Sequence, residues 1–141
     1  MKTLKAFVTL GLLVFSASSL ANPVQVRIHG LQQDTGSIII NLFASAASWD
    51  SEVPDKIVQV APLKGTDAIV AMDLPPGTYA FFLYHDVDGN GELKRGLFGM
   101  PGEPYAFSNN VHIGFSKPSF QKMQFAVGPQ GALQEIQLVN P

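Results

Sequence analysis

From Val24 onward the chain is written mostly in a period of two. Val24, Val26 and Ile28 alternate with Gln25, Arg27 and His29, the pattern of a strand with one buried face. Residues 37–43 are rich in β-formers and set Ile38, Ile40 and Leu42 on one side, with Ile39, Asn41 and Phe43 on the other. Residues 44–55 break the alternation and predict a loop with room for one helical turn. Further strands are predicted at 57–60, 68–74, 78–85, 111–115, 120–127 and 133–139. In the 78–85 strand Tyr79, Phe81 and Leu83 alternate with Ala80, Phe82 and Tyr84. Both faces are apolar, so this strand is expected at the centre of a sheet and covered on both sides. Pro75, Pro76 and Gly77 turn the chain into it, and Tyr79 stands where its hydroxyl can tie the corner. Gly128 to Gly131 predicts a hairpin turn between the last two strands. Seven to eight short strands with Gly/Pro turns and no helical period predict an all-β fold, a single antiparallel β-sandwich.

The first residues follow a different rule. Lys2 and Lys5 precede an apolar run from Ala6 to Phe15, and small residues follow, with Ser19 and Ala21 two apart. This is the pattern of a signal peptide over residues 1–21, cleaved after Ala21, with the sandwich domain over 22–141. The apolar run is too short to cross a bilayer core, and no second run is long enough, so no transmembrane segment is expected after cleavage. The expected location is periplasmic or secreted.

Composition narrows the chemistry. The 141 residues include no Cys, which removes disulfides, thiolate metal sites and a cysteine nucleophile. Without Lys2 and Lys5, seven basic residues face 11 acidic ones, a net charge of −4. That balance lacks the basic excess with which nucleic-acid binders neutralise phosphates. No Gly-x-Ser-x-Gly elbow occurs.

The long segment from Asp86 to about Ser108 is where function is expected, because structureless loops of that length usually carry it. It opens Asp86-Val87-Asp88-Gly89-Asn90-Gly91-Glu92-Leu93. Oxygen side chains at alternate positions on a curled backbone converge on one point, as a hard cation requires. Asp86, Asp88 and Asn90, with the backbone carbonyl of Glu92, form a candidate calcium site. An EF-hand needs a bidentate Glu at the twelfth position, where this chain has Leu97, and the flanks are not helices. A further oxygen would therefore come from elsewhere, with Glu103, Ser108 and Asn109 as candidates. The competing reading is a turn, since Asp-Gly and Asn-Gly are strong turn formers. His85 adjoins Asp86 and is expected near the acids; His29 and His112 lie on other strands without metal-ligand spacing. Farther along, Phe98, Tyr105 and Phe107, with Asn109 beside them, form a candidate contact surface on a Gly/Pro-rich loop.

The blocks Pro-Gly-Thr-Tyr-Ala at 76–80, His-Asp at 85–86, Asn-Gly at 90–91, Phe-Gly-Met-Pro at 98–101 and Phe-Ser-Asn-Asn at 107–110 resemble the domain of unknown function 2141 family of small exported bacterial proteins. The chain departs from that pattern at Lys94 and Arg95, where an acid is common, and two cations there oppose an ion site. The resemblance implies an immunoglobulin-like or transthyretin-like β-sandwich and export, and it implies no activity. Three functions follow as expectations. The first is a non-enzymatic binding module that uses the 86–110 loop, with or without calcium, to hold a protein, peptide or glycan. The second is a small periplasmic hydrolase using Asp86, Asp88, Glu103 and His85, and the third is a structural envelope protein.

Overall fold

A computed structural model describes residues 20–60 and 65–141. The expected signal peptide therefore lies outside the described residues, apart from its last two positions. Eight strands form two sheets: β1 (Asn22–His29), β2 (Ser37–Phe43), β3 (Lys56–Val60), β4 (Asp67–Leu74), β5 (Gly77–Asp86), β6 (Tyr105–Phe107), β7 (Phe125–Val127) and β8 (Ala132–Gln137). Two short helices, α1 (Ala46–Asp50) and α2 (Phe120–Met123), lie between them. One sheet has the order β4-β1-β8. The other has the order β3-β2-β5-β6, with β7 also paired to β5.

Alternation builds the core. Val24, Val26 and Ile28 of β1, Val70, Met72 and Leu74 of β4, Ile38, Ile40 and Leu42 of β2, and Phe81 and Leu83 of β5 meet between the sheets. The opposite faces of β2 and β5 carry a second cluster, in which Ile39, Phe43, Ala80 and Tyr84 pack with Trp49, Phe107, Phe120 and Met123. Strand β5 is thus covered on both sides, as its two apolar faces predict. At its entrance the Tyr79 hydroxyl donates to the Pro75 carbonyl at 2.9 Å.

Three expectations from the pattern are corrected. Residues 120–127 are not one strand. Phe120 and Met123, three apart, both point into the second cluster, which one turn of helix achieves and strand alternation forbids. Residues 111–115 form no ladder. Val111 and Ile113 still pack, half-buried, against the second cluster, so the alternation reports an extended segment lacking a strand partner. Finally, β7 and β8 are not a hairpin pair. β7 pairs with β5, and β8 crosses to the other sheet and runs parallel to β1 from Val24↔Ala132 to His29↔Gln137. The sandwich is therefore not purely antiparallel. Gly131 permits the crossing: its φ is +77°, and a Cβ there would overlap the carbonyl oxygen of Pro23.

Ser108 completes the seam between β6 and β7. Both lie along β5, with Phe81 between their paired stretches. The fully buried Ser108 hydroxyl accepts from the Phe81 N–H at 3.0 Å and donates to the Met123 carbonyl at 2.7 Å. It supplies the hydrogen bonds that a strand partner would otherwise provide.

Candidate functional site

The chain leaves β5 at Asp86 and returns at β6, and between them the backbone is organised by carboxylates. Asp86 is fully buried. Its two oxygens accept from the Asn90 N–H at 3.2 Å and the Gly91 N–H at 2.8 Å, and Gly89 and Gly91 take the positive φ values that the curl demands. Glu103, 5% exposed, accepts from the Val87 and Lys94 N–H groups, both at 3.0 Å. The exposed Asp88 accepts from the Asn90 N–H at 3.1 Å. Oxygens of Asp86, Asp88 and Glu103 lie within 4.8 Å of one another.

The sequence-predicted ligand set is thus reassembled. Asp86 and Asp88 are brought together, and Glu103 joins them from the far end of the loop. Asn90 stands beside Asp88, but its side-chain carbonyl accepts from the Glu92 N–H at 2.8 Å. The Glu92 side chain is exposed and outside the acidic cluster, whereas the ligand expected from this residue is its backbone carbonyl. Ser108 is used in the β5 seam, and Asn109 donates to the Met123 and Gln124 carbonyls, so neither reaches the acids. His85 also goes elsewhere. Alternation sends it to the opposite face of β5 from Asp86, where its ring Nε2 lies 2.6 Å from the Thr35 carbonyl oxygen.

Lys94 and Arg95 do not neutralise the cluster. Among the described residues the ion pairs are made by Arg27, His29 and Lys117, and none reaches Asp86, Asp88 or Glu103. Lys94 contributes its backbone N–H, while the Arg95 guanidinium donates to the Gly99 carbonyl at 3.3 Å. The acids act on Tyr84 nearby. Burial pushes the Tyr84 phenol above its ordinary pKa, and the charges of Asp86, Glu103 and Glu92 push it in the same direction.

Between the two ends of the acidic site, residues 94–102 fold into a small hairpin. The Gly102 N–H donates to the Lys94 carbonyl and the Gly96 N–H to the Met100 carbonyl, each at 2.6 Å. Its tip is a 3-10 turn at Leu97–Gly99. Phe98 sits there at φ 57° with its side chain 100% exposed. A phenylalanine in the left-handed region is a backbone outlier.

This hairpin is one wall of a cleft of about 500 Å³. Phe43, Phe82, Tyr84 and Phe107 form its floor, and Trp49 lies at its side. The 113–118 segment also lines it, and its Phe115 is fully exposed. Edge-on contacts of Phe43 and Phe107 with Trp49 fix the aromatic floor. Lys117 lies over the Trp49 ring at 4.1 Å and pairs with Glu52 at 3.2 Å. Asn41 stands among these rings, half-buried, with no side-chain hydrogen bond among the described residues.

The contact surface expected from sequence is therefore rearranged. Phe98 is on the surface. Tyr105 and Phe107 are not: they are 7% and 4% exposed because β6 is a sheet strand and its rings pack in the second cluster, although Phe107 still reaches the cleft floor. Asn109 is tied down by α2 and by Gln134. Sequence reasoning missed Asn41, Arg95 and Phe115. The signals were present in a polar residue interrupting an apolar strand face and an aromatic residue between Gly114 and Ser116.

Residues 26–135 match a family described as an uncharacterized protein conserved in bacteria, DUF2141. The chain belongs to this family. The match spans all eight strands at least in part, so in this DUF2141 protein the acidic loop and the cleft both fall inside the family's region. No curated protein and no solved structure matches the chain.

Proposed function

We propose that this DUF2141 protein is an exported, non-enzymatic binding module whose ligand enters the aromatic cleft, and whose acidic loop holds a calcium ion that fixes one wall of it. The observation that carries the reading is the pair of exposed rings, Phe98 and Phe115, that line the same cleft as the buried rings of Phe43, Trp49, Tyr84 and Phe107. Large apolar side chains left in water beside a concave apolar surface are the usual mark of a recognition site.

The calcium part is supported by charge. Two buried carboxylates lie beside a third, with backbone N–H groups as partners and no ion pair to a cationic side chain among the described residues. Burying charges without a counter-charge is costly, and a hard divalent ion with oxygen ligands offsets that cost. Tyr84 links the two features: its hydroxyl donates to the Gly91 carbonyl at 3.2 Å while its ring lies on the cleft floor. Export and periplasmic or secreted location belong to the same proposal, supported by the leader pattern of residues 1–21. So does the immunoglobulin-like or transthyretin-like form of the sandwich, supported by the Tyr79 corner.

None of Asp86, Asp88, Glu103 and His85 lines the cleft, which supports a binding role for the cleft over a hydrolase that would use those residues in it. The test is uptake of Nile red, an uncharged apolar dye. Saturable fluorescence enhancement is expected with the wild-type chain, and Phe98→Ser with Phe115→Ser should weaken it while leaving the melting temperature unchanged. No uptake by the wild-type chain would overturn the binding reading.

A further inference from the structure

The charges around the cleft are unbalanced, and this points to the kind of ligand it takes. Two of its three charged lining residues satisfy each other: Lys117 pairs with Glu52 and also donates to the Trp49 carbonyl at 2.7 Å. The third, Arg95, has no carboxylate partner among the described residues. Its guanidinium donates to the Gly99 carbonyl, on its own hairpin. A guanidinium carries five N–H donors, so most of them remain for a ligand. Arg95 is not the only cation without an ion pair among the described residues, since Lys56, Lys94 and Lys122 make none either, but it is the one that lines the cleft. Asn41 adds one neutral donor and acceptor within the aromatic floor.

The size of the cleft suits a small molecule. About 500 Å³ falls in the range of roughly 300–1,000 Å³ found for small-molecule sites. Resting on the binding reading above, we infer that the ligand is a small amphiphilic monocarboxylate. Its aliphatic chain lies on Phe82 and Phe107 between Phe98 and Phe115, and its carboxylate is held by Arg95. Arginine suits this task because its fork of donors matches the two oxygens of a carboxylate.

Octanoate, octanol and octylammonium share one chain and differ in the head group. They would be titrated into the full folded protein in calcium-containing buffer, with binding read by calorimetry and by the fluorescence of the single tryptophan, Trp49. Octanoate is expected to bind about tenfold more tightly than octanol and octylammonium more weakly than either. Arg95→Gln should bring octanoate down to the level of octanol without changing octanol binding or the melting temperature, and Arg95→Lys should restore part of the preference. Equal binding of octanoate and octanol, or a preference that survives Arg95→Gln, would overturn the carboxylate assignment and leave the apolar cleft standing. Failure of all three to bind, together with failure of Nile red uptake, would overturn both. A concentration-dependent dimer in sedimentation that shields Phe98 and Phe115 would make the cleft a self-association surface and would also overturn the proposal.

Discussion

Two groups of acids sit on the two sheets, and their oxygens find partners in opposite ways. On the outer face of the β4-β1-β8 sheet, His29 lies between Asp67 and Glu135. Its Nδ1 is 3.3 Å from one carboxylate and its Nε2 is 2.9 Å from the other, and Arg27 pairs with Glu135 at 3.0 Å. Cations and anions there come from neighbouring strands and lie in water. At the end of β5, Asp86 and Glu103 are buried and take backbone N–H groups instead. Dipoles orient a carboxylate and satisfy its lone pairs, but they do not cancel its charge. Each acid of the exposed group has a basic side chain beside it, whereas the buried acids have none among the described residues that a cation would displace. The first cross-links strands. The second shapes a loop, and through Lys94 and Tyr84 it shapes the wall and floor of a cleft.

The largest expected effect is at the buried group. Asp86→Ala removes the acceptor of two loop N–H groups and should cost about 2–3 kcal/mol by chemical denaturation. Asp88→Ala, at an exposed position, should leave calcium-free stability almost unchanged but abolish any gain from calcium. Equal costs for both substitutions would erase the distinction between buried and exposed acids.

Ser108→Ala comes next and tests the hydroxyl that closes the seam between β6 and β7. It leaves the Phe81 N–H without its acceptor, and a loss of about 1–3 kcal/mol is expected. A hydrogen-exchange experiment should show the Phe81 amide exchanging faster in that variant than in the wild type.

The smallest effect is at the exposed group, and it is best read as pH dependence. Hydrogen bonding to Glu135, and then to Asp67, raises the His29 pKa above 6.5. The stability it contributes is complete below 6.5 and is lost as pH rises through the raised folded value. Hydrogen bonding to His29, and then to Arg27, lowers the Glu135 pKa below 4.5. That contribution is complete above 4.5 and is lost as pH falls through the lowered folded value. Melting temperature should therefore carry a plateau between the two, and His29→Gln should flatten its alkaline edge. Because all these groups are exposed, added salt should shrink the effect.

The parts of this structure that were legible in sequence are those governed by local alternation. β1, β2, β4 and β5 follow directly from which residues are apolar, and the Tyr79 corner follows from its turn. Partner choice was not legible in this way. The 132–137 strand carries the same alternation whether it pairs with β7 or β1, and what decides is the crossing at Gly131, where a positive φ and the nearness of Pro23 leave no room for a side chain. The Phe120 and Met123 pair is consistent with a strand interrupted by polar residues until the packing against Trp49 is known. At the site, Asp86 and Asp88 were readable from their spacing. Glu103 was one of three candidate oxygen donors, because a loop's closure is set by its far end. His85 shows the opposite trap, since adjacency along a strand places two side chains on opposite faces.

The central claim is that the acidic loop holds calcium and thereby orders the cleft. The most direct measurement is the melting of the protein in chelator and then in millimolar calcium. An ion that binds only the folded form stabilises it by mass action, by about 2.7 kcal/mol at a concentration one hundred times its dissociation constant. The account predicts a clear rise in melting temperature with calcium, abolished by Asp88→Ala and accompanied by tighter Nile red uptake. An unchanged melting temperature would contradict it and leave Asp86 and Glu103 as loop-shaping carboxylates alone.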